Sequence, residues 1–176
     1  VSGGFIVGFD SDTPSIFQRQ IDFIQESGIV WAMVGLLNAP KNTRLYERLE
    51  AENRLSLEPT GNNTDYTMNF IPAMDTGKLL DGYKKIIREI YLPSPYYKRM
   101  RQFFLNYKPV SKRRNRIESY YFSAFLKSII IIGILDKGRG EYWKFMLWTL
   151  LHRPGLFLDA CMFTICGYHF RRVYGL

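Results

Sequence analysis

Cysteine, histidine and carboxylate side chains supply most nucleophilic, metal and acid–base chemistry, and in this chain of 176 residues their spacing favours none of the three. Cys161 and Cys166 stand five apart in an apolar helical stretch beside Met162 and Phe163. That is where small buried thiols sit, so both are read as structural. His152 and His169 are too isolated to complete a metal set with them. Asp10, Asp12 and Asp22 could be imagined as an acid/base group. Asp12, however, falls in a turn and Asp22 faces away from an apolar helical stripe, so solvated charges are expected. A different signal lies in Gly4-Phe5-Ile6-Val7-Gly8-Phe9-Asp10, where glycines alternate with apolar residues in a strand that runs into a turn. Glycine lets a ligand approach the backbone closely. Tight strand-helix packing is the simpler account of Gly4 alone.

Charge marks a second region. The net charge of +8 is unevenly spread: residues 1–83 carry −5, 84–116 carry +10 and 117–176 carry +3. Lys98, Arg99 and Arg101, then Lys112, Arg113, Arg114 and Arg116, interleave with Tyr96, Tyr97, Phe103, Phe104 and Tyr107. Such mixtures bind nucleic acid or an anionic membrane surface, or form a solubilising basic face. We rank first a basic face that contacts the acidic first half or keeps the protein soluble, a lipid surface second and nucleic acid third. Apolar residues at 47% and aromatics at 16% exclude a mostly disordered chain. Nothing in the sequence resembles a disulfide framework or a secretory signal, so a reducing, cytoplasmic setting is the expected default, with peripheral contact to the inner face of a membrane as its variant.

The elements that must position these residues can be read from periodicity. Ser2 to Phe9 is a strand-forming run closed by Asp10-Ser11-Asp12-Thr13-Pro14. Thr13 suits an N-cap and Pro14 a first helical position. Ile16, Phe17, Gln20, Ile21 and Ile24 form one stripe, and Gly28 supplies a left-handed stop. Ile29 to Leu37 is a strand apolar on both faces. The result is one strand-helix-strand unit with parallel strands, whose open edges call for partners upstream. Opening on a strand with no cap before it, the chain reads as a fragment of a larger α/β protein.

A helix is predicted over Arg44–Asn53, then an ordered loop from Arg54 to Pro72 anchored by Leu55, Leu57, Phe70 and Ile71. Further helices are predicted over Thr76–Tyr91, Ser94–Tyr107, Arg113–Asp136, Gly140–His152 and Pro154–Tyr174. The last of these are unusually apolar, with Ile129-Ile130-Ile131-Ile132 in one run, yet shorter than the roughly twenty apolar residues of a bilayer span. A buried hairpin is the expectation. The sharper alternative is an interfacial pair rimmed by Lys127, Lys144, Arg153, Arg171 and Arg172.

The opening strand, in the form GxIxGx followed by the acidic Asp10, resembles the fifth barrel strand of radical S-adenosylmethionine enzymes, where a GxIxGxxE pattern lies beside the cofactor's adenine. Asp10 to Phe17 resembles that family's turn and helix start. Asn38-Ala39-Pro40-Lys41-Asn42-Thr43-Arg44-Leu45-Tyr46 is similar to the segment after its last barrel strand, with Asn42 where the family often has glycine before threonine. Gly61-Asn62-Asn63-Thr64, Asn69-Phe70-Ile71-Pro72, Met74-Asp75, Gly82-Tyr83-Lys84 and Ile90-Tyr91 narrow the resemblance to the C-terminal domain of unknown role in cobalamin-binding radical S-adenosylmethionine proteins, the hopanoid-methylase-like group.

The resemblance implies an α/β start, two parallel strands with a crossover helix at the end of a partial TIM-like barrel, followed by a mostly α-helical C-terminal domain. Residues 1–53 would be the last barrel units, 54–75 a connector and 76–176 the helical domain. Ile6, Gly8, Asp10, Gly35 and Leu36 would lie on the adenine side. The intact protein would use S-adenosylmethionine, an iron–sulfur cluster and a cobalamin to methylate or modify an apolar, lipid-like substrate. The cluster needs a CxxxCxxC set of thiolates that this chain lacks, so it would bind none of these groups alone and would depend on upstream barrel and cobalamin domains as partners. The alternative from another class is a helical basic module on an anionic membrane surface.

Overall fold

The computed structural model describes residues 2–56, 66–108 and 119–176, without the side chains of 119–121. The anchors and turn residues predicted between 57 and 65, the basic residues Lys112, Arg113, Arg114 and Arg116, and the predicted start of the helix from Arg113 lie outside the described residues.

Strand β1 (Ser2–Val7) leads through a turn into helix α1 (Ser15–Ser27) and strand β2 (Trp31–Leu36). The strands pair in parallel with Ser2 opposite Trp31 and Val7 opposite Leu36. The remaining elements are helical: α2 (Arg44–Ala51), α3 (Thr76–Tyr91), α4 (Pro93–Asn106), α5 (Ser119–Ser128) continued by a π-helix over Ile129–Leu135, α6 (Arg139–His152), a 3₁₀ turn at Pro154–Leu156, and α7 (Phe157–Val173). This is the predicted α/β start followed by helices. Helix α1 begins one residue later than Pro14 would set it, with the Thr13 hydroxyl on that of Ser15 and the Ile16 N–H on the Thr13 carbonyl. Gly28 takes the left-handed conformation expected of the helix stop, φ 68°.

Two compact units share the chain. The first comprises residues 1–24 and 31–90 and the second 25–30 and 91–176. In the first, one pleat face of the sheet is covered, with Val7, Ala32, Val34 and Leu36 buried. Tyr83, fully buried on α3, donates to the Val34 carbonyl at 3.1 Å, so α3 underlies that face. Gly82 allows the approach, since a Cβ there would overlap the Phe17 ring of α1. The opposite face is open, with Ile6 47% and Met33 58% exposed. Of the two apolar faces predicted for β2, therefore, only one is covered among the described residues.

The second unit is built on aromatic contacts. Tyr97 and Phe104 of α4 pack on Phe145 of α6 at 5.5 and 5.6 Å, and Tyr91 stacks on Phe170 of α7 at 4.9 Å. Tyr96, Tyr97 and Phe104 are buried, as is Arg99, which donates to the Gln25 side chain at 3.0 Å and lies over the Tyr96 ring. These residues are therefore core. They cannot form the exposed basic-aromatic surface that their interleaving suggested, because helical spacing puts the aromatics on the inward stripe and carries Arg99 with them. Among the described residues no helix is long and apolar enough to cross a membrane.

One predicted helix departs from α geometry. After Ser128 the backbone widens into the π-helix, and the side chains give the reason. The Ser128 hydroxyl takes the Phe125 carbonyl at 2.8 Å, and the Trp143 indole takes the Gly133 carbonyl at 2.9 Å, engaging acceptors that the helix would otherwise use.

Candidate functional site

The carboxyl ends of β1 and β2 lead into a dense polar construction. Gly8 ends β1 with φ 110°, a conformation that L side chains rarely adopt, and a Cβ there would press on Leu79 at 3.3 Å. The turn that follows is closed by Asp12, whose carboxylate accepts from the N–H groups of Gly8 at 2.9 Å and Phe9 at 3.0 Å. Asp12 is thus a turn anchor, where solvated charge was expected; its carboxylate reaches back to N–H groups three and four residues earlier, a contact that no local spacing announces. Asp22 accepts from Gln18 on the surface of α1, away from the turn.

Asp10 projects from the same turn into an arginine clamp. Arg54 reaches its two oxygens at 2.7 and 3.1 Å, and Arg48 adds a contact at 2.8 Å. Arg54 is fixed in turn by Glu52 at 2.7 Å and by the Ile71 carbonyl at 2.9 Å. The hydrogen bond from Arg54 is the main reason the Asp10 carboxyl is held below its ordinary range, against a smaller opposing effect of burial. Because the folded carboxyl is the stronger acid, its contribution to stability is full above the ordinary value near 3.8 and is lost as pH falls through the lowered folded value. Replacing Asp10 by Asn should cost about 1 kcal/mol at neutral pH, and the gap to the parent should close in acid, as urea midpoints taken from pH 6 to pH 2 would show.

Beside the clamp, Asn69 is a buried amide, 1% exposed. Its Oδ1 accepts from the Ala39 N–H at 2.8 Å and its Nδ2 donates to the Ala39 carbonyl at 2.7 Å, while its own N–H donates to Asn38 Oδ1 at 3.1 Å. An antiparallel bridge between Leu55 and Phe70 holds the neighbouring backbone, and Leu37, Ala39, Leu49 and Phe70 form a small core beneath. At the described ends of the predicted loop, Leu55 and Phe70 act as the anchors expected of them, whereas Ile71 is 57% exposed and is not one. Asn69 and Arg54 carry more of its construction than apolar anchors alone suggested, and only the asparagine-rich composition around 61–69 hinted at them.

Asn42 stands at φ 64°, just before Thr43, whose hydroxyl accepts the Tyr46 N–H at 3.2 Å to cap α2. This is the left-handed turn for which the related pattern uses glycine, and asparagine is among the few other residues that tolerate it. Asn42→Gly should leave thermal stability within about 0.5 kcal/mol of the parent, whereas Asn42→Val should cost about 1–2 kcal/mol, read from denaturant curves.

The five residues predicted on the cofactor side divide by place. Ile6 and Gly35 are ladder partners on the open face, next to the pair Gly4 and Met33. Gly4 is exposed, with no atom within 4 Å of a Cβ built on it, and Gly35 is half-buried. Gly8 is buried at the strand end. Asp10 is committed to Arg54 and Arg48. Leu36 points to the covered face and is 7% exposed, so its side chain belongs to the core and not to the Ile6–Gly35 shelf. Elsewhere, Cys161 is a buried thiol pushed up to about 11 by burial, Cys166 is raised for the same reason, and both are free. Among the described residues no group of three His, Cys, Asp or Glu could hold a metal ion.

Comparison with known proteins follows these contours. Residues 43–175 match the model of a domain of unknown function, DUF4070. An uncharacterized methyltransferase of Synechocystis is 30% identical over 94% of the chain, covering 31% of the relative. The bacteriochlorophyllide d C-12(1)-methyltransferase of Chlorobaculum tepidum is 33% identical over 61% of the chain and 23% of its own length. The hopanoid C-2 methylase of Rhodopseudomonas palustris is 27% identical over 86% of the chain and 29% of its own length. The chain therefore spans about a third or less of these curated relatives. No solved structure matches it.

Proposed function

The chain belongs to the DUF4070 family, the C-terminal part of cobalamin-binding radical S-adenosylmethionine methylases, and from that premise we propose that it serves such a methylase as the adenine-side and substrate-side support. The observation that carries this reading is the open shelf of Ile6 and Gly35 at the carboxyl ends of two parallel strands, beside the glycine turn at Gly8. An adenine ring is flat, apolar on its faces and polar at its edge. Ile6 offers a face to pack against, and Gly35 leaves room beside it. The fit is to adenine; an iron–sulfur cluster and a cobalamin would be held by upstream parts of the protein.

Bound S-adenosylmethionine would supply the adenosyl group and the methyl group. The part of this chain would be to orient the adenine through Ile6 and Gly35, to keep the turn rigid through Asp12, and to exclude water from one side. The open face and single ladder of the sheet support its completion by further strands into a partial barrel. Upstream barrel and cobalamin-binding domains would then be its partners, and the chain by itself would be inactive. The relatives that methylate hopanoids and bacteriochlorophyllide support an apolar, lipid-like substrate.

Calorimetric titration of the full-length protein with S-adenosylmethionine tests the reading. Gly35→Val would fill the shelf and Ile6→Asp would charge it, and each should weaken affinity about tenfold or more, equivalent to about 1.4 kcal/mol. Circular dichroism should show both variants folded. Unchanged affinity in both would overturn the proposal, and so would cluster absorbance or cofactor cleavage by the 176-residue chain alone.

A further inference from the structure

The second unit exposes more large apolar side chains than a solvated surface explains. Along α5 and the π-helix, Phe122, Leu126, Ile130 and Ile134 recur every four residues and are 63, 45, 54 and 55% exposed. On α6 the core takes Tyr142, Phe145, Met146 and Thr149. The adjoining flank presents Trp143, Leu147, Leu150 and Leu151, exposed by 39, 55, 52 and 77%. The two stripes meet where the Trp143 indole donates to the Gly133 carbonyl, and a Cβ on Gly133 would press against that indole at 3.1 Å. The π-helix assists, because its wider turn keeps Ile130, Ile134 and Leu135 outward while only Ile132 and Gly133 are buried.

Charge decides what suits this face. The same elements carry Lys127, Lys137, Arg139, Lys144 and Arg153 against two carboxylates, and both carboxylates are matched. Glu141 pairs with Lys144 at 2.9 Å, and Asp136 pairs with Arg171 at 2.9 Å. Arg171 is thereby 7% exposed and does not belong to the basic rim expected of it. Arg153 also turns inward, donating to the carbonyls of Leu105 and Tyr107. Lys127, Lys137, Arg139 and Lys144 remain exposed around the apolar stripes. Apolar side chains with an interfacial tryptophan, rimmed by lysine and arginine, complement the acyl boundary and anionic headgroups of a bilayer leaflet.

We infer that the α5, π-helix and α6 face docks the second unit on an anionic lipid surface, lying on it without crossing it. This goes beyond the methylase reading and does not depend on it, since vesicle binding and cofactor affinity are read separately. Sedimentation of the 176-residue chain with phosphatidylcholine vesicles, with and without phosphatidylglycerol, tests it. The chain should sediment with the anionic vesicles at low salt and be released as salt rises. Leu147→Asp and Ile134→Asp should each lower the bound fraction about fivefold or more, and Met33→Asp on the first unit's sheet should leave it unchanged. Brominated lipid should quench tryptophan emission in the parent and much less in Trp143→Phe. Failure to bind anionic vesicles, equal binding to neutral ones, or sensitivity to Met33→Asp would each overturn the inference. So would a dimer in size-exclusion chromatography that Leu147→Asp breaks, which would assign the face to a second copy of the chain.

Discussion

Replacing Asn69 by Ala should be among the most damaging single changes in the first unit, lowering stability by about 3 kcal/mol. Asn69 uses its side chain as a peptide mimic, pairing with both the N–H and the C=O of Ala39. Ala39 is itself fully buried, so water does not replace the lost partners and two backbone groups are stranded at once. A buried polar group left unpaired costs about 1–3 kcal/mol, which is larger than the net gain from the hydrogen bond it lost. Size alone does not explain the effect, and the isosteric Asn69→Asp isolates the chemistry. That variant loses the donor to Ala39 while burying a carboxyl, whose charged form is disfavoured there, so its acidity is weakened on folding. A raised folded value gives stability that is present below the unfolded value and lost as pH rises through the folded one. Asn69→Asp should therefore recover part of its deficit in mild acid, and Asn69→Ala should not. Urea unfolding at pH 7 and pH 4 separates the two. A loss below about 0.5 kcal/mol in both variants would mean that the Ala39 groups find other partners.

The effect reaches the candidate site because the chain around Asn69 supplies the scaffold of the arginine clamp. Phe70 pairs with Leu55 across the isolated bridge, and the carbonyl of Ile71 holds Arg54 against Asp10. Loss of the Asn69 contacts should loosen Arg54 and with it the turn after β1. Stability and S-adenosylmethionine affinity in the full-length protein should then fall together.

Sequence order revealed those parts of the molecule in which one element's own pattern decides the outcome. Helix α3 runs from Thr76 to Tyr91 as its periodicity indicates, and Gly28 ends α1 in the left-handed conformation it was assigned. Strand alternation puts Ile6 on one face of its strand and Gly35 opposite Leu36, but only the structure gives the register that pairs Ile6 with Gly35. Contacts made across distance were not legible. Arg54 lies 44 residues from Asp10, and Asn69 lies 30 from Ala39; no local spacing announces either pair. Alternation likewise could not say that Leu36 faces the covered side, because both faces of β2 are apolar and only α3 breaks the tie. The basic-aromatic stretch misled for the opposite reason. Composition pointed outward, whereas the three- and four-residue spacing of Tyr96, Tyr97, Met100 and Phe104 already marked an inward stripe that carries Arg99 with it.

Gly82→Ala should reverse the sign that helix propensity assigns to it. In the middle of a helix, alanine for glycine ordinarily stabilises by about 1 kcal/mol. Gly82 lies inside α3, but its missing Cβ is the space occupied by the Phe17 ring, with three ring carbons in the way. Phe17 is itself buried and anchors the apolar stripe of α1, so the ring has no solvent into which to swing. One helix must move or the ring must leave its rotamer, and overpacking of this kind costs about 1–3 kcal/mol, enough to exceed the propensity gain. Gly140 in α6 supplies the contrast, since nothing lies within 4 Å of its added Cβ, and Gly140→Ala should be neutral or mildly stabilising. The second substitution that settles the cause is Phe17→Leu. Alone it should cost about 1 kcal/mol of packing, yet combined with Gly82→Ala it should recover stability that the single changes do not predict, with a coupling of about 1–2 kcal/mol. Additive losses would mean that the helices yield without the ring, and that the close approach of α3 to α1 is not what fixes Tyr83 beneath Val34.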